Sequence, residues 1–154
     1  MKYWLFKSEP DTFGVDDLAR MPKATTAWDG VRNYQARNMM RDQMRVGDQG
    51  FFYHSSCEVP GIAGIVRVVR EAYPERAAFD PRSPYFDAGS DPENPRWYCV
   101  DVQLTRKIDP PVTLATLREH AQNELSEMLV LRRGNRLSIT PVTRDEWRFV
   151  LTLA

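Results

Sequence analysis

Residues 27–38 read "AWDGVRNYQARN", so Trp28 is followed closely by Asp29, Arg32, Asn33, Tyr34 and Arg37. An indole face stacks planar heterocycles, with about 1–3 kcal/mol per stacked nucleobase. A side-chain amide such as Asn33 presents a donor and an acceptor side by side and can read the edge of such a ring. Arginine adds a planar fork that pairs with phosphate oxygens. Each residue also has a structural role open to it. Trp28 can be a core aromatic, and Asn33 can cap the helix that follows while still contacting a ligand. The stripe Arg37, Arg41 and Arg45 can be a solvated helix face or a phosphate-binding one; from Arg32 to Arg45 only Asp42 is acidic.

A second cluster is "FFYHSS" at 51–56. In a strand Phe51, Tyr53 and Ser55 share one face, and Phe52, His54 and Ser56 the other. His54 either projects beside a cavity or sits satisfied near the core. The first possibility keeps an enzyme reading open, with His54 as general base near Ser55 or Tyr53. Cys57 lies three residues from His54 without a third group to complete a nucleophilic site, so the signal for catalysis is weak.

The 154 residues suit one domain with a proper core. Their formal net charge is zero and the pI is about 6.7, which argues against bulk electrostatic coating of polyanions. Any nucleic-acid contact must therefore be local. Among the 21 basic residues only Lys2, Lys7, Lys23 and Lys107 are lysines; a GC-rich genome would give the same bias as selection for arginine. The two cysteines lie far apart and only two histidines occur, so neither a zinc site nor a disulfide framework is expected. No Gly-rich phosphate loop appears and no cofactor is implied. The apolar run in "MKYWLFKSEP" is too short for a signal peptide or membrane span, and a cytoplasmic protein is expected.

Several elements must position these residues. "KYWLFK" reads as a strand buried on both faces, "GVDDLARM" as a short helix capped at Gly14, and "TTAWDG" as a brief strand ending in a turn. From Tyr34 to Arg45 the four-residue recurrence of Ala36, Met40 and Met44 predicts a helix. "GFFYHS" and "GIAGIVRVVREAY" follow as strands, with Pro60 and Gly61 as their hairpin. Residues 74–95 hold five of the eleven prolines and read as a long loop, which Phe79, Tyr85 and Phe86 should pack back onto the body. "RWYCVDVQLTRKI" is a half-buried strand; "LATLREH" and "ELSEMLVLRR" read as helical, the latter closed by Gly134. In "VTRDEW", Thr143 and Glu146 form a capping box with Val142 stapling onto Trp147, which starts a last helix near Arg144. The pattern predicts an α+β domain on a small, curved, mostly antiparallel sheet.

With "KSEP", "WDGVRNYQARN", "FFYHS", "PGI.G", "FDP", "PRW" and "RLS..PV" in this order, the chain resembles the EVE domain family of the PUA-like superfamily, from Lys2 to about Val150. The resemblance implies one EVE domain over 1–154: a PUA-like, barrel-like sheet flanked by short helices, similar to the YTH readers. It also implies a non-catalytic reader of a modified nucleobase, above all modified cytosine such as 5-methyl- or 5-hydroxymethylcytosine, in DNA or RNA. By motif, the pocket would draw on Lys7, Ser8, Trp28, Arg32, Asn33, Tyr34, Phe52, Tyr53, His54 and Ser55, floored by Ile62 and Gly64. Arg32, Arg37 and Arg41 would hold phosphates. A duplex base reaches such a pocket only by leaving the stack, at a cost of a few kcal/mol. A protein-interaction module is the blander alternative, because fold kinship alone does not fix function.

Overall fold

A computed structural model describes every residue from Met1 to Ala154. Strand β1 (Tyr3–Ser8) buries Trp4, Leu5 and Phe6 in succession. Since neighbouring side chains point to opposite faces, that run requires cover on both sides of the sheet. On one side Trp4 and Phe6 pack with Val15 and Leu18 of α2 (Val15–Arg20) and Ala36 of α3 (Tyr34–Asn38). On the other, Leu5 packs with Leu117 of α4 (Leu114–Arg118) and with Trp147 and Val150 of α5 (Arg144–Leu153). The molecule is thus helix, sheet, helix in three layers, with one hydrophobic core in each gap.

The six strands run in the order β2 (Thr25–Ala27), β5 (Tyr98–Thr113), β4 (Gly61–Pro74), β3 (Gln49–His54), β1, β6 (Ile139–Val142). Only β1 and β3 are parallel, in the register Tyr3↔Gln49 through Ser8↔His54. All other pairs are antiparallel. Repeated register shifts along β4 and β5 bend the sheet, but it does not close, and β2 and β6 remain its edges. The expected PUA-like α+β architecture is present as this open form.

Local sequence accounts for most elements. Thr143 Oγ1 accepts from the Glu146 N–H while Glu146 Oε1 accepts from the Thr143 N–H, so the capping box forms and α5 begins at Arg144. Asp17 reaches back to accept from the Gly14 N–H at 2.7 Å, the half of a capping box that needs no side chain at Gly14. Ala36, Met40 and Met44 are all fully buried, as their spacing predicted.

Other expectations need correction. After Asn38 the helix continues as a π-helical turn over Met39–Gln43, closed by the Met44 N–H on Met39 O at 3.0 Å; Met44 and Arg45 lie beyond it. "ELSEMLVLRR" is a chain of turns with a short 3₁₀ stretch at Leu129–Leu131. The spacing of Leu125 and Met128, both buried, is met equally by three-residue turns. Residues 55–60 link β3 to β4, and Gly61 is the first residue of β4 rather than part of a tight hairpin. A Cβ at Gly61 would meet Val112 O at 2.5 Å, so glycine lets β5 close against it. A short helix α1 (Pro10–Phe13) was not anticipated. In the long loop Phe86 stays 43% exposed instead of packing back.

Candidate functional site

A cleft of about 650 Å³ opens where the end of β1, helix α1, the turn after β2 and the approach to β6 converge. Lys7, Ser8 and Glu9 line it from β1, and Thr12 and Phe13 from α1. The whole run from Thr26 to Asn33 forms one wall, Tyr85 reaches in from the long loop, and Arg136 and Ser138 stand ahead of β6. The Lys7 N–H on Ser138 O at 2.8 Å ties two of these segments together.

Trp28 is only 7% exposed, and its ring packs edge-on against Phe6 at 5.2 Å and Phe52 at 5.5 Å. It therefore belongs to the core and to the cleft wall at once. Its indole N–H makes no hydrogen bond within the protein, yet no buried side-chain N or O is left unpaired, so that N–H opens to the outside. Asn33 Oδ1 accepts from the Ala36 N–H at 2.9 Å and caps α3, while its amide N–H₂ group has no protein partner. Both roles foreseen for Asn33 are compatible with this geometry.

The titratable groups of the cleft are unevenly satisfied. Lys7 makes no ion pair, and partial burial lowers its ammonium from the ordinary lysine value. Withdrawal from water, and secondly the charge of Glu75, raise the Asp29 carboxyl above the usual carboxylate value. Ser8 Oγ donates to Phe13 O at 2.5 Å and holds α1 against β1. Arg136 is exposed and unpaired.

The arginines of the motif are differently placed. Arg32 lines the cleft, but its guanidinium donates to both oxygens of Glu75 at 2.9 Å, to Val31 O at 3.0 Å and to Tyr85 O. Glu75 itself is 1% exposed. Arg37 lies outside the cleft, donating to Arg96 O and Asn38 Oδ1 and stacking over Tyr34 at 4.7 Å. Tyr34 in turn stacks on Trp97 at 5.0 Å and also stands outside. Arg41 pairs with Asp42 at 2.8 Å, away from the opening.

The residues of β3 and β4 do not line the cleft. Phe52 lies behind it, as the ring against which Trp28 rests. Tyr53 and Ile62 belong to the core on the opposite face of the sheet, as strand alternation requires for Tyr53 once Phe52 faces Trp28. Gly64 admits Val15, whose Cγ2 would meet an added Cβ at 3.0 Å. Ser55 continues the β1 pairing through its N–H on Ser8 O. His54 Nε2 accepts from the Val15 N–H at 3.1 Å, and burial lowers its pKa below the ordinary histidine value. It is a neutral cap on α2 whose basic nitrogen is occupied.

Sequence reasoning missed Glu9, Thr12, Phe13, Asp29, Tyr85, Arg136 and Ser138. Asp29 stands inside the motif and "RLS" carries part of the family resemblance, but nothing local shows that residues 85 and 136 come back to the same opening.

An open, mostly antiparallel sheet with few short helices and a cleft at the end of β1 defines a PUA-like domain. The chain matches the EVE domain over residues 2–153 and belongs to that family. It is 44% identical to human thymocyte nuclear protein 1 over 98% of this chain and 73% of the relative, and 44% identical to the zebrafish protein over 97% and 71%. The crystal structure of the human protein in complex with 5-methylcytosine-containing DNA is similar with a TM-score of 0.93, 44% identity and coverage of 99% and 97%. A Pseudomonas syringae protein of known structure is similar at a TM-score of 0.91 and 45% identity, covering 98% of each chain. The expectation of a cytoplasmic protein is corrected by the human and zebrafish relatives, which are nuclear proteins by name; a short N-terminal apolar run says nothing about nuclear entry. No helix is long and apolar enough to cross a membrane.

Proposed function

We propose that this chain binds DNA carrying a modified cytosine, with the modified base turned out of the duplex into the cleft. The observation that carries the reading is a set of unpartnered hydrogen-bonding groups around one opening: the Trp28 N–H, the Asn33 amide and the Lys7 ammonium. Their support comes from a relative, similar over 99% of this chain, that is seen bound to 5-methylcytosine DNA. The volume of about 650 Å³ lies within the range of small-ligand sites, roughly 300–1,000 Å³, and leaves room for a base with its sugar.

Lys7 and Arg136 are the cleft cations free to meet flanking phosphates, whereas a phosphate at Arg32 would have to displace Glu75. Arg37 and Arg41 add to the local field more than to contact. A general-base role for His54 gains no support, since the backbone N–H of Val15 occupies its acceptor nitrogen. No geometric feature favours the protein-interaction alternative.

The test is a fluorescence-anisotropy titration of labelled duplexes containing cytosine, 5-methylcytosine or 5-hydroxymethylcytosine at one position, with the matching RNA strands alongside. Tighter binding to a modified DNA duplex is expected. Equal affinity for every strand would remove the reading.

A further inference from the structure

We infer that Tyr85, rather than Trp28, is the plate on which the extruded base stacks; this rests on the function proposed above. A stacked base needs an uncovered ring face, and Trp28 exposes 7% of its surface with Phe6 and Phe52 packed against it. What Trp28 keeps available is its N–H donor. Phe13 also lines the opening, but its ring packs onto the same core and against Phe52. Tyr85 belongs to neither hydrophobic core, is half-buried, and lines the cleft.

The ring is also held from behind. One side lies over Gly30, where an added Cβ would fall 2.6 Å from Tyr85 Cε1 and Cζ, and Gly30 has φ +80°. Arg32 donates to the Tyr85 carbonyl and to both oxygens of Glu75, whose Oε1 also accepts from the Gly30 N–H at 3.3 Å. The guanidinium lies over Trp97 at 4.9 Å and more distantly over the Tyr85 ring, 5.8 Å from its centroid. Asp87, two residues on from Tyr85, accepts from Trp97 Nε1 at 2.7 Å and from Arg96 at 3.2 Å. A ring fixed in this way loses little freedom when a ligand docks, which is where preorganised sites gain affinity. Arg32 is thus a positioning residue for Tyr85.

The experiment compares Tyr85→Leu, Tyr85→Phe and the neighbouring exposed Phe86→Leu with the native chain, by anisotropy on cytosine and 5-methylcytosine duplexes and by thermal midpoint. Because stacking on a base is worth about 1–3 kcal/mol and is tolerant of base identity, Tyr85→Leu should weaken 5-methylcytosine binding roughly 5- to 150-fold. Tyr85→Phe, which keeps the ring face, should retain most of that binding; a thermal midpoint close to native shows that Tyr85→Leu still folds, and Phe86→Leu should be unchanged. Native affinity in Tyr85→Leu overturns the inference, as does a loss equalled by Tyr85→Phe or Phe86→Leu. If the native chain shows no preference for a modified duplex, the functional reading fails first and takes this inference with it; native preference with intact Tyr85→Leu binding fails the inference alone.

Discussion

The motif arginines and the remaining cations of the cleft lie close together, yet their charges are treated oppositely. Arg32, Arg37 and Arg41 each find partners within the protein, in Glu75, Arg96 O with Asn38, and Asp42. Lys7 and Arg136, which no periodicity marked, have none. A cation already held by a buried carboxylate positions the chain, and one left unpaired at an opening is available to a ligand. The number of arginines in a motif therefore says less about binding than what each one already touches.

The strongest way to break this contrast is to remove the partner of Arg32. Glu75→Ala strands a partly buried guanidinium, and losing one member of such a pair costs roughly 3–5 kcal/mol, towards the lower end because the Arg32 side chain keeps 28% exposure. Chemical denaturation should show that loss. DNA affinity should fall with it, since Tyr85 loses its anchor.

Next in size is Gly30→Ala. The residue sits at φ +80° with the Tyr85 ring where a Cβ would go, and a strained left-handed residue costs on the order of 1–3 kcal/mol. The thermal midpoint should drop, with cleft binding weakened more than the midpoint alone explains.

The contrast is sharpened by Arg136→Ala against Arg41→Ala. Neither should change stability by much, since surface substitutions stay within about 0.5 kcal/mol. The slope of log affinity against log salt should fall by about 1 for a lost phosphate contact at Arg136 and stay unchanged for Arg41.

The smallest effect expected is a pH dependence from His54. Burial depresses its folded pKa below the ordinary value, so below about 6.5 the unfolded chain takes up a proton that the folded chain resists. Stability is fully present above about 6.5 and is lost as pH falls toward the depressed value. His54→Gln, which can still accept from the Val15 N–H, should flatten that dependence in urea titrations run at a series of pH values.

Local rules carried the fold furthest where one segment held its whole explanation. The Thr143–Glu146 box, the burial of Ala36, Met40 and Met44, and the doubly covered β1 each follow from spacing alone, although the helix that carries Ala36 and Met40 ends in a π-helical turn. They failed where two structures satisfy the same spacing, as with Leu125 and Met128 in turns. The cleft was half readable: Lys7, Ser8, Trp28, Arg32 and Asn33 line it together. Phe52 and Tyr53 could not both have joined them, since adjacent strand residues face opposite sides. Tyr85 and Arg136 arrive from segments whose return to β1 depends on the Arg32–Glu75 pair and the β1–β6 pairing, and no local pattern encodes either.

The most direct test of the central claim places 2-aminopurine beside a single 5-methylcytosine in a short duplex and follows its fluorescence while the protein is added. A base leaving the stack unquenches its neighbour, so the account predicts a saturable rise on the methylated duplex that is absent or much weaker on the unmethylated one. Saturable binding to the methylated duplex with no rise in fluorescence would contradict it.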